Sequence, residues 1–565
     1  MSKKVLVVGG VAGGASTAAR VRRIDESAEV IMFERGHNVS FSNCALPFHL
    51  SGIVEESQDL VLMCPEVFKN KYNIEARTRN EVKEIKREEK KVVVEDLEAG
   101  EVYEEDYDKL VLSPGASPIM PDSIEGITNE NVFSVRNVKD IEALSGYIEE
   151  NNVDNVTVVG GGFIGVEVAE NLHLDGKEVN LIEAQDQIMA PFDLDMAQIL
   201  HKEMYDNDIN LVLNDAVAKI NEDSVELNSG EVIETGAVVM AIGVSPETKL
   251  AEDAGLELGE TGGIKVDHNY LTNDDDIYAI GDAIEVYCTL RRDKTRLPLA
   301  WPAQRQARAV ADNMYGKNHN STGIIGSSVV QVFDINGAST GLSEKAAEDA
   351  NIPHDVVYII PGDKVGLMPD SEPMHFKLVY EDPTGKILGA QAIGRGNVDK
   401  RVDVVATAIK MGATLEDLKE LELCYAPVFG TAKDVVNNAG LVGLNLINGV
   451  YDQVAVDEVR ELVENDAFIV DVREEDEYAN GHLKNAVNIP LSQLRDRVDE
   501  IPKDEPVYLH CRSGQRSYNA IMALQDKGYD NLYNISGSFL GICCQQYYLD
   551  QVTDREKIVT DYNFN

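Results

Sequence analysis

Short β-branched runs that break at a glycine cluster and pass into helix-forming sequence recur along the chain, at Val5–Arg23 and again at Val156–Leu174. In the second copy the strand pattern Val156-Thr157-Val158-Val159 precedes Gly160, Gly162 and Gly165, which satisfy G-x-G-x-x-G, and the next strand pattern, Glu178–Ile182, ends at Glu183. Strand, glycines, helix and an acidic strand end about 20 residues on predict a dinucleotide site, the carboxylate accepting the ribose hydroxyls. The first copy reads Gly9-Gly10-Val11-Ala12-Gly13-Gly14, with Val11 where the motif usually has glycine, and its strand Val30–Phe33 ends at Glu34. Glycines there let the backbone approach a pyrophosphate at a helix N-terminus, where amides and the helix dipole favour anions. Two such units in one chain point to a flavin and a nicotinamide dinucleotide.

The alternation continues beyond these units. Asp276–Asp282 reads as a strand closing on a Gly-Asp turn. Charge-rich Glu81–Asp106 reads as solvated hairpin strands. From about Val330 to Leu444, alternating strands are followed by helical Val402–Met411 and Ala432–Ala439, an α+β interface domain. After Gly449 a fresh αβ alternation begins at Val454–Glu464. The expected organisation is α/β: two Rossmann-like dinucleotide-binding domains, an α+β dimerisation domain and a last α/β domain. Its boundaries are 1–113 and 246–325 for a split flavin-binding domain, 114–245 for the nicotinamide domain, 326–449 for dimerisation and 450–565 for the last domain.

Composition narrows the partners. The 565 residues carry 51 Lys plus Arg against 98 Asp plus Glu, a formal net charge of −47. So acidic a chain lacks the basic face that nonspecific binding to nucleic acid or anionic membrane requires, and phosphate-bearing ligands need local basic sites. Seven cysteines are too sparse for a disulfide scaffold and show no metal-ligand spacing, which fits a reducing cytoplasm. The apolar run at Val5–Val8 is too short for a secretory signal, and no stretch approaches the roughly 20 apolar residues of a membrane span.

Two cysteines stand in chemically marked places. Cys44, in Ser40-Phe41-Ser42-Asn43-Cys44-Ala45-Leu46-Pro47, follows the first nucleotide unit among polar neighbours, and the residue five positions on is His49 rather than a second cysteine. A single cysteine beside a flavin cycles through a mixed disulfide with a small thiol, or through a sulfenic acid. Cys511 follows the strand Val507–His510 and opens Cys511-Arg512-Ser513-Gly514-Gln515-Arg516-Ser517 before the helix Tyr518–Lys527. Loop amides, a helix N-terminus, Arg512 and Arg516 favour its thiolate. Cys543 and Cys544, in an apolar-aromatic run, read as core, as do Cys64, Cys288 and Cys424.

The segments GGVAGGASTAARVRR, SFSNCALP, VVGGGFIGVEVAENL, YAIGDA and YAPVFGTAKD, in that order over residues 1–447, resemble the coenzyme A disulfide reductase group of the pyridine nucleotide-disulfide oxidoreductases, which includes NADH-dependent persulfide reductases. IVDVREEDEYANGHLKNAVNIP with the Cys511 loop resembles a rhodanese, a sulfurtransferase that carries sulfur as a cysteine persulfide. The resemblance implies a homodimer with FAD, NAD(P)H and a coenzyme A thiol paired with Cys44. It places Gly9, Gly10, Gly14, Glu34, Arg35, Val82, Ser113, Gly115, Asp282 and Ala300 around FAD, Asp282 at the ribityl chain, and Gly160, Gly162, Phe163, Ile164, Gly165 and Glu183 around the nicotinamide dinucleotide. Arg20, Arg23, Ser40, Asn43, Lys71 and Lys433 would hold coenzyme A, with Tyr425 of the partner subunit donating a hydrogen bond over Cys44. In Gly366-Leu367-Met368-Pro369 one expected active-site tyrosine is missing, Trp301 replaces a small residue, and Ala45 stands where glycine is usual.

The expected function is FAD-dependent, NADH-linked reduction of coenzyme A persulfide, coenzyme A disulfide or polysulfide at Cys44, with a fused rhodanese domain using Cys511, Arg512 and Arg516. Glu183-Ala184-Gln185 favours NADH over NADPH, because a carboxylate repels a 2′-phosphate and no basic residue follows at once. The rival expectation is an NADH oxidase or peroxidase with Cys44 as a sulfenic acid, whose members place histidine where this chain has Ala12. A non-enzymatic redox scaffold is the second rival, disfavoured by the retention of Cys44, Cys511, Asp282 and both nucleotide units.

Overall fold

The computed structural model describes residues 3–564 as two compact units: one comprises the chain through Ala184 together with Asn214–Ile324, the other Gln185–Leu213 with the chain from Ile325 onward. In the first unit, a parallel sheet has the strand order Ile277–Ala279, Lys109–Leu112, Lys4–Val8, Glu29–Glu34 and Glu75–Thr78. Its central strands are near-continuous apolar runs, as expected where both faces are covered, and Val5, Leu6, Val7, Ile31, Met32 and Leu110 are buried. A second parallel arrangement runs Glu178–Glu183, Asn155–Val159, Ala237–Met240 and Val132–Ser134. The helices Ala12–Ile24 and Phe163–Leu174 leave the glycine turns of these two sheets. Asn80–Lys86, Lys91–Asp96 and Glu101–Asp106 form a three-stranded antiparallel sheet as expected, but it is solvated on one face only, since Val82, Ile85, Val92 and Val94 are buried in the core.

In the second unit, Ser327–Val332, Ile335–Gly341, Ile387–Gly394, Met374–Glu381 and His354–Ile359 make an antiparallel sheet in that order. Helix Val398–Met411 packs on it and stops at Gly412, in the left-handed conformation. The helix expected over Ala432–Ala439 instead runs Val435–Ile447. Asp434 caps it, its side chain accepting from the Val436 amide at 3.2 Å, so Ala432 and Lys433 fall outside. The last αβ alternation forms a parallel sheet ordered Asp452–Val454, Leu532–Ile535, Val507–His510, Phe468–Asp471 and Val487–Asn488. Its central strand delivers Cys511, and the following helix is Gln515–Gln525, three residues earlier at its start than the sequence pattern implied.

Candidate functional site

Both nucleotide units close in the same way. Gly9 lies at φ +100°, and a Cβ there would sit 2.0 Å from the Ser113 carbonyl oxygen, while one on Gly14 would sit 1.8 Å from the Gly9 carbonyl. Only glycine meets both demands, and the matching pair in the second unit is Gly160 and Gly165. A Cβ on Gly162 would meet nothing within 4 Å, which explains why the first copy tolerates Val11 at the equivalent place. Glu34 Oε2 accepts from the Gly10 amide at 2.8 Å, and Glu183 Oε2 accepts from the Gly161 amide at 2.7 Å. Each carboxylate is thereby fixed at the mouth of its own glycine turn.

The C-terminal ends of the first parallel sheet bring Gly9, Glu34, Ser113 and Asp282 to one edge, the location where such sheets bind nucleotides. A Cβ on Gly13 would lie 2.5 Å from Ser113 Oγ, so helix, strand end and turn meet in a cradle only glycine permits. Burial raises the Asp282 carboxyl pKa, with Arg136 opposing. Gly115, at φ +78°, lies against the Arg136 guanidinium. These residues fit a flavin dinucleotide, and Gly160, Gly162, Gly165 and Glu183 fit a nicotinamide dinucleotide. Of the other expected cofactor residues, Val82 is buried in the apolar core, Arg35 pairs with Glu247 at 2.9 Å, and Phe163 and Ile164 open the helix that leaves the second glycine turn. Ala300 and Trp301 are exposed at the start of helix Ala300–Met314, Trp301 by 70%.

Cys44 sits on the single turn Asn43–Ala45 and is exposed. Burial of its surroundings raises its thiol pKa, and the charges of Glu167 and Asp282 raise it further. Glu167 was not legible as a site residue. It stands two positions past Gly165 in the apolar stretch Gly165-Val166-Glu167-Val168-Ala169, and that lone half-buried acid was the available signal. Burial first, then the neighbouring Glu170, pushes its carboxyl up to about 7. A thiol and a carboxyl that titrates near neutrality therefore influence each other.

The arginines of the first helix divide. Arg22 is buried and donates to the carbonyls of Tyr72, Asp25, Glu26 and Asn73, a structural staple. Arg20 Nε donates to Asp312 at 3.0 Å, whereas Arg23 and Lys71 are exposed. Ser40 has φ +49° and its amide donates to the Gly10 carbonyl at 2.8 Å; Asn43 Nδ2 lies 3.5 Å from the Arg136 carbonyl. In the second unit, Tyr425 is 49% exposed and Lys433 is exposed just before the Asp434 cap.

Cys511, buried to 1% exposure, lies at the end of the central strand Val507–His510. Gly514 at φ +105° turns the loop so that its amide donates to Cys511 Sγ at 3.1 Å. Ser517 Oγ lies 3.8 Å and Ser538 Oγ 4.0 Å from the same sulfur. The Cys511 and Arg512 carbonyls accept from the Phe539 and Leu540 amides at 3.0 Å each, docking the loop on helix Ser538–Val552. Arg516 binds Glu477, and Arg512 Nη2 donates to the Phe564 carbonyl at 3.1 Å. Beneath the loop, Asp471 receives Arg473 at 3.0 Å, and burial lowers the pKa of His510, with Asp471 opposing. Such a cradle presents donors to an anionic sulfur.

Three segments match families: residues 3–307 the pyridine nucleotide-disulphide oxidoreductases, 327–435 their dimerisation domain and 455–543 the rhodanese-like domain. The chain belongs to the pyridine nucleotide-disulphide oxidoreductase family. It is 34% identical over 438 residues to a coenzyme A disulfide reductase of Staphylococcus epidermidis, covering 77% of this chain and 99% of that protein. The structure of reduced Bacillus anthracis CoADR-RHD superposes with a TM-score of 0.93 at 45% identity, covering 96% of this chain and 98% of that one. An NAD-dependent persulfide reductase from A. fulgidus superposes at 0.91 with 33% identity, over 95% and 99% of the two chains. The chain is therefore an oxidoreductase of this family, using FAD and a nicotinamide dinucleotide, with an appended rhodanese-like domain.

The cysteines of this oxidoreductase are all free thiols. Cys288, Cys543 and Cys544 are buried, as expected, and Cys64 is intermediate. Cys424 is exposed beside Tyr425, so its reading as core was wrong. It lies in the irregular Leu421–Lys433 segment, which has no helix or strand to bury it. No helix among the described residues is long and apolar enough to cross a membrane.

Proposed function

We propose that the protein reduces coenzyme A persulfide, coenzyme A disulfide or polysulfide with NADH at Cys44, and that Cys511 transfers sulfane sulfur. The observation that carries this reading is the pairing, in one chain, of a lone Cys44 beside a flavin-type cradle with a buried Cys511 whose sulfur accepts a loop amide. Similarity to proteins named for coenzyme A disulfide and persulfide reduction supports it. When bound, the flavin supplies two-electron transfer between nicotinamide and sulfur. The Cys44 thiolate bonds to the outer sulfur of the persulfide, and the coenzyme A thiolate leaves with the electron pair. The resulting Cys44 persulfide takes two electrons from NADH and two protons, releasing hydrogen sulfide and restoring the thiol. With a disulfide substrate, the intermediate is a Cys44–coenzyme A mixed disulfide. Ionised Glu167 raises the pKa of this thiol through its charge.

Arg20, Arg23, Ser40, Asn43, Lys71 and Lys433 are the proposed coenzyme A contacts, and Tyr425 of the partner subunit donates to the departing sulfur in a homodimer. Arg20 serves the phosphates only by sharing its charge with Asp312. Glu183, with no basic residue in Ala184-Gln185, supports NADH over NADPH. The free thiols support a cytoplasmic setting. The test is anaerobic NADH turnover with coenzyme A persulfide, coenzyme A disulfide and hydrogen peroxide. Persulfide or disulfide turnover is expected; efficient peroxide reduction with neither would overturn the reading in favour of the oxidase or peroxidase.

A further inference from the structure

Between the helices Leu415–Glu420 and Val435–Ile447 the chain is irregular, and this stretch carries Tyr425 together with the exposed Val428 and Phe429. An irregular segment with exposed apolar side chains has little packing to fix it. Two buried polar side chains hold it instead. At one end Asn437 Nδ2 donates to the Leu418 and Leu421 carbonyls at 3.0 and 2.9 Å. At the other, Arg401, 1% exposed on helix Val398–Met411, extends Nη2 to the Phe429 carbonyl at 3.3 Å and to the Asp434 carboxylate at 3.2 Å. The Phe429 and Gly430 amides both donate to the Ala426 carbonyl, at 2.8 and 3.2 Å, so the turn that follows Tyr425 is tied to the guanidinium through Phe429.

The same nitrogen holds a second loop. Arg401 Nη2 donates to the Asp363 carbonyl at 3.1 Å. Asp363 closes the loop that runs to Glu372, its amide donating to the Glu372 carbonyl at 2.8 Å and its carboxylate accepting from the Glu372 amide at 2.9 Å. This loop presents Leu367, 86% exposed, in the segment where the resemblance leads one to expect a tyrosine. A buried charge carries a desolvation cost that an apolar side chain of similar volume would avoid. What the arginine adds is a planar fork whose donors fix both loops in one register, which the point charge of a lysine does not reproduce.

We infer that Arg401 is a positioning residue that sets the Tyr425 loop and the Asp363–Glu372 loop as one unit, and so places the Tyr425 hydroxyl for the sulfur at Cys44 of the partner subunit. This deepens, and rests on, the proposed role of Tyr425 in sulfur reduction. Buried as it is, Arg401 is closed to substrate and acts through the Phe429 and Asp363 carbonyls. Tyr425 is the one tyrosine in the sequence of the two loops, so no second hydroxyl in them can take its place if it shifts.

Two substitutions loosen this clamp in different ways. Arg401→Lys keeps a charge beside Asp434 but gives up the fork. Gly430→Ala keeps the arginine, but its Cβ would lie 3.1 Å from Nη2 and press the guanidinium away from the Phe429 carbonyl. In the full-length flavoprotein, amide exchange read by mass spectrometry is expected to run about tenfold faster over both loops in Arg401→Lys and about threefold faster in Gly430→Ala, with helix Phe163–Leu174 unchanged. In anaerobic turnover of NADH with coenzyme A disulfide, kcat should fall about tenfold and about threefold respectively, with the KM for the disulfide within about twofold and flavin bleaching by NADH unaltered. Tyr425→Phe should itself lower kcat, and neither clamp substitution should lower it further in that background. Exchange that quickens in only one loop, or in neither, overturns the clamp, and Gly430→Ala decides alone should Arg401→Lys not fold. In an enzyme that needs the Tyr425 hydroxyl, a kcat that holds while both loops loosen overturns the placement of Tyr425, as does a loss that persists in full in Tyr425→Phe. Both loops loosening in a protein whose turnover is indifferent to Tyr425→Phe upholds the clamp and overturns only the proposed role of Tyr425.

Discussion

Glu477 grips Arg516 through two hydrogen bonds, Arg516 Nη1 to Oε2 at 2.6 Å and Arg516 Nη2 to Oε1 at 2.7 Å. The pair crosses from the helix Glu475–Ala479 to the first turn of helix Gln515–Gln525, so it both ties the Cys511 loop down and cancels one of its two positive charges. Its hydrogen bonds with Glu477 raise the Arg516 pKa and, reciprocally, lower that of Glu477.

Glu477→Gln should therefore return a charge to the loop. The KM for thiosulfate, a dianion, is expected to fall severalfold in steady-state transfer to cyanide. Because both side chains are about one-third exposed, the loss of stability should stay near 1 kcal/mol or below, measured by denaturant unfolding. A KM that rises would mean that Glu477 serves the loop by shaping it rather than by setting its charge.

The two cysteines should separate by substitution. Cys44→Ser should abolish NADH-linked persulfide and disulfide reduction by at least about a hundredfold while NADH still bleaches the bound flavin. Cys511→Ser should keep reduction of preformed small persulfides and lose thiosulfate-type transfer. Equal loss of both activities in either variant would mean that the sites do not work independently.

The buried lysine of the second unit gives a stability prediction. Lys377, 3% exposed, lies 3.0 Å from Asp195, 3.4 Å from Asp193 and 2.7 Å from Glu344. Burial disfavours its charge, but the three carboxylates outweigh this and raise its pKa. Lys377→Met leaves those acids uncompensated and should cost about 3–5 kcal/mol at neutral pH. Calorimetry should show part of the loss recovered in acid, as the acids take up protons.

What was legible in the sequence were features whose cause is local. The glycine turns, the acidic strand ends Glu34 and Glu183, and the strand-turn-helix around Cys511 all depend on residues within a few positions of one another. The helix after Asp434 was misplaced by three residues because a capping side chain outweighs helix propensity at Ala432. The unforeseen relationships join distant parts of the chain. Arg20 meets Asp312, and Arg512 meets Phe564, through contacts that no periodicity encodes. Three neighbouring arginines that look alike in sequence separate into a paired, a buried and an exposed one only when the helix is placed against its neighbours.

The last prediction concerns Glu167 and pH. Its carboxyl is raised from 4.5 to about 7 by burial and by Glu170, and its charge, with that of Asp282, raises the Cys44 pKa. Below pH 7 the carboxyl is protonated and exerts no charge on the sulfur, so Glu167→Gln should alkylate at Cys44 like the parent. Above pH 7 the parent ionises and the variant does not, so the variant's Cys44 should hold more thiolate and react severalfold faster near pH 8. Stability follows the same window. A carboxyl whose folded pKa exceeds its unfolded value stabilises fully below about 4.5 and loses that contribution as pH rises through about 7. Glu167→Gln should therefore match the parent's melting temperature in acid and exceed it by about a few degrees at pH 8. A pH-independent difference in both alkylation and melting would show that Glu167 acts through packing alone.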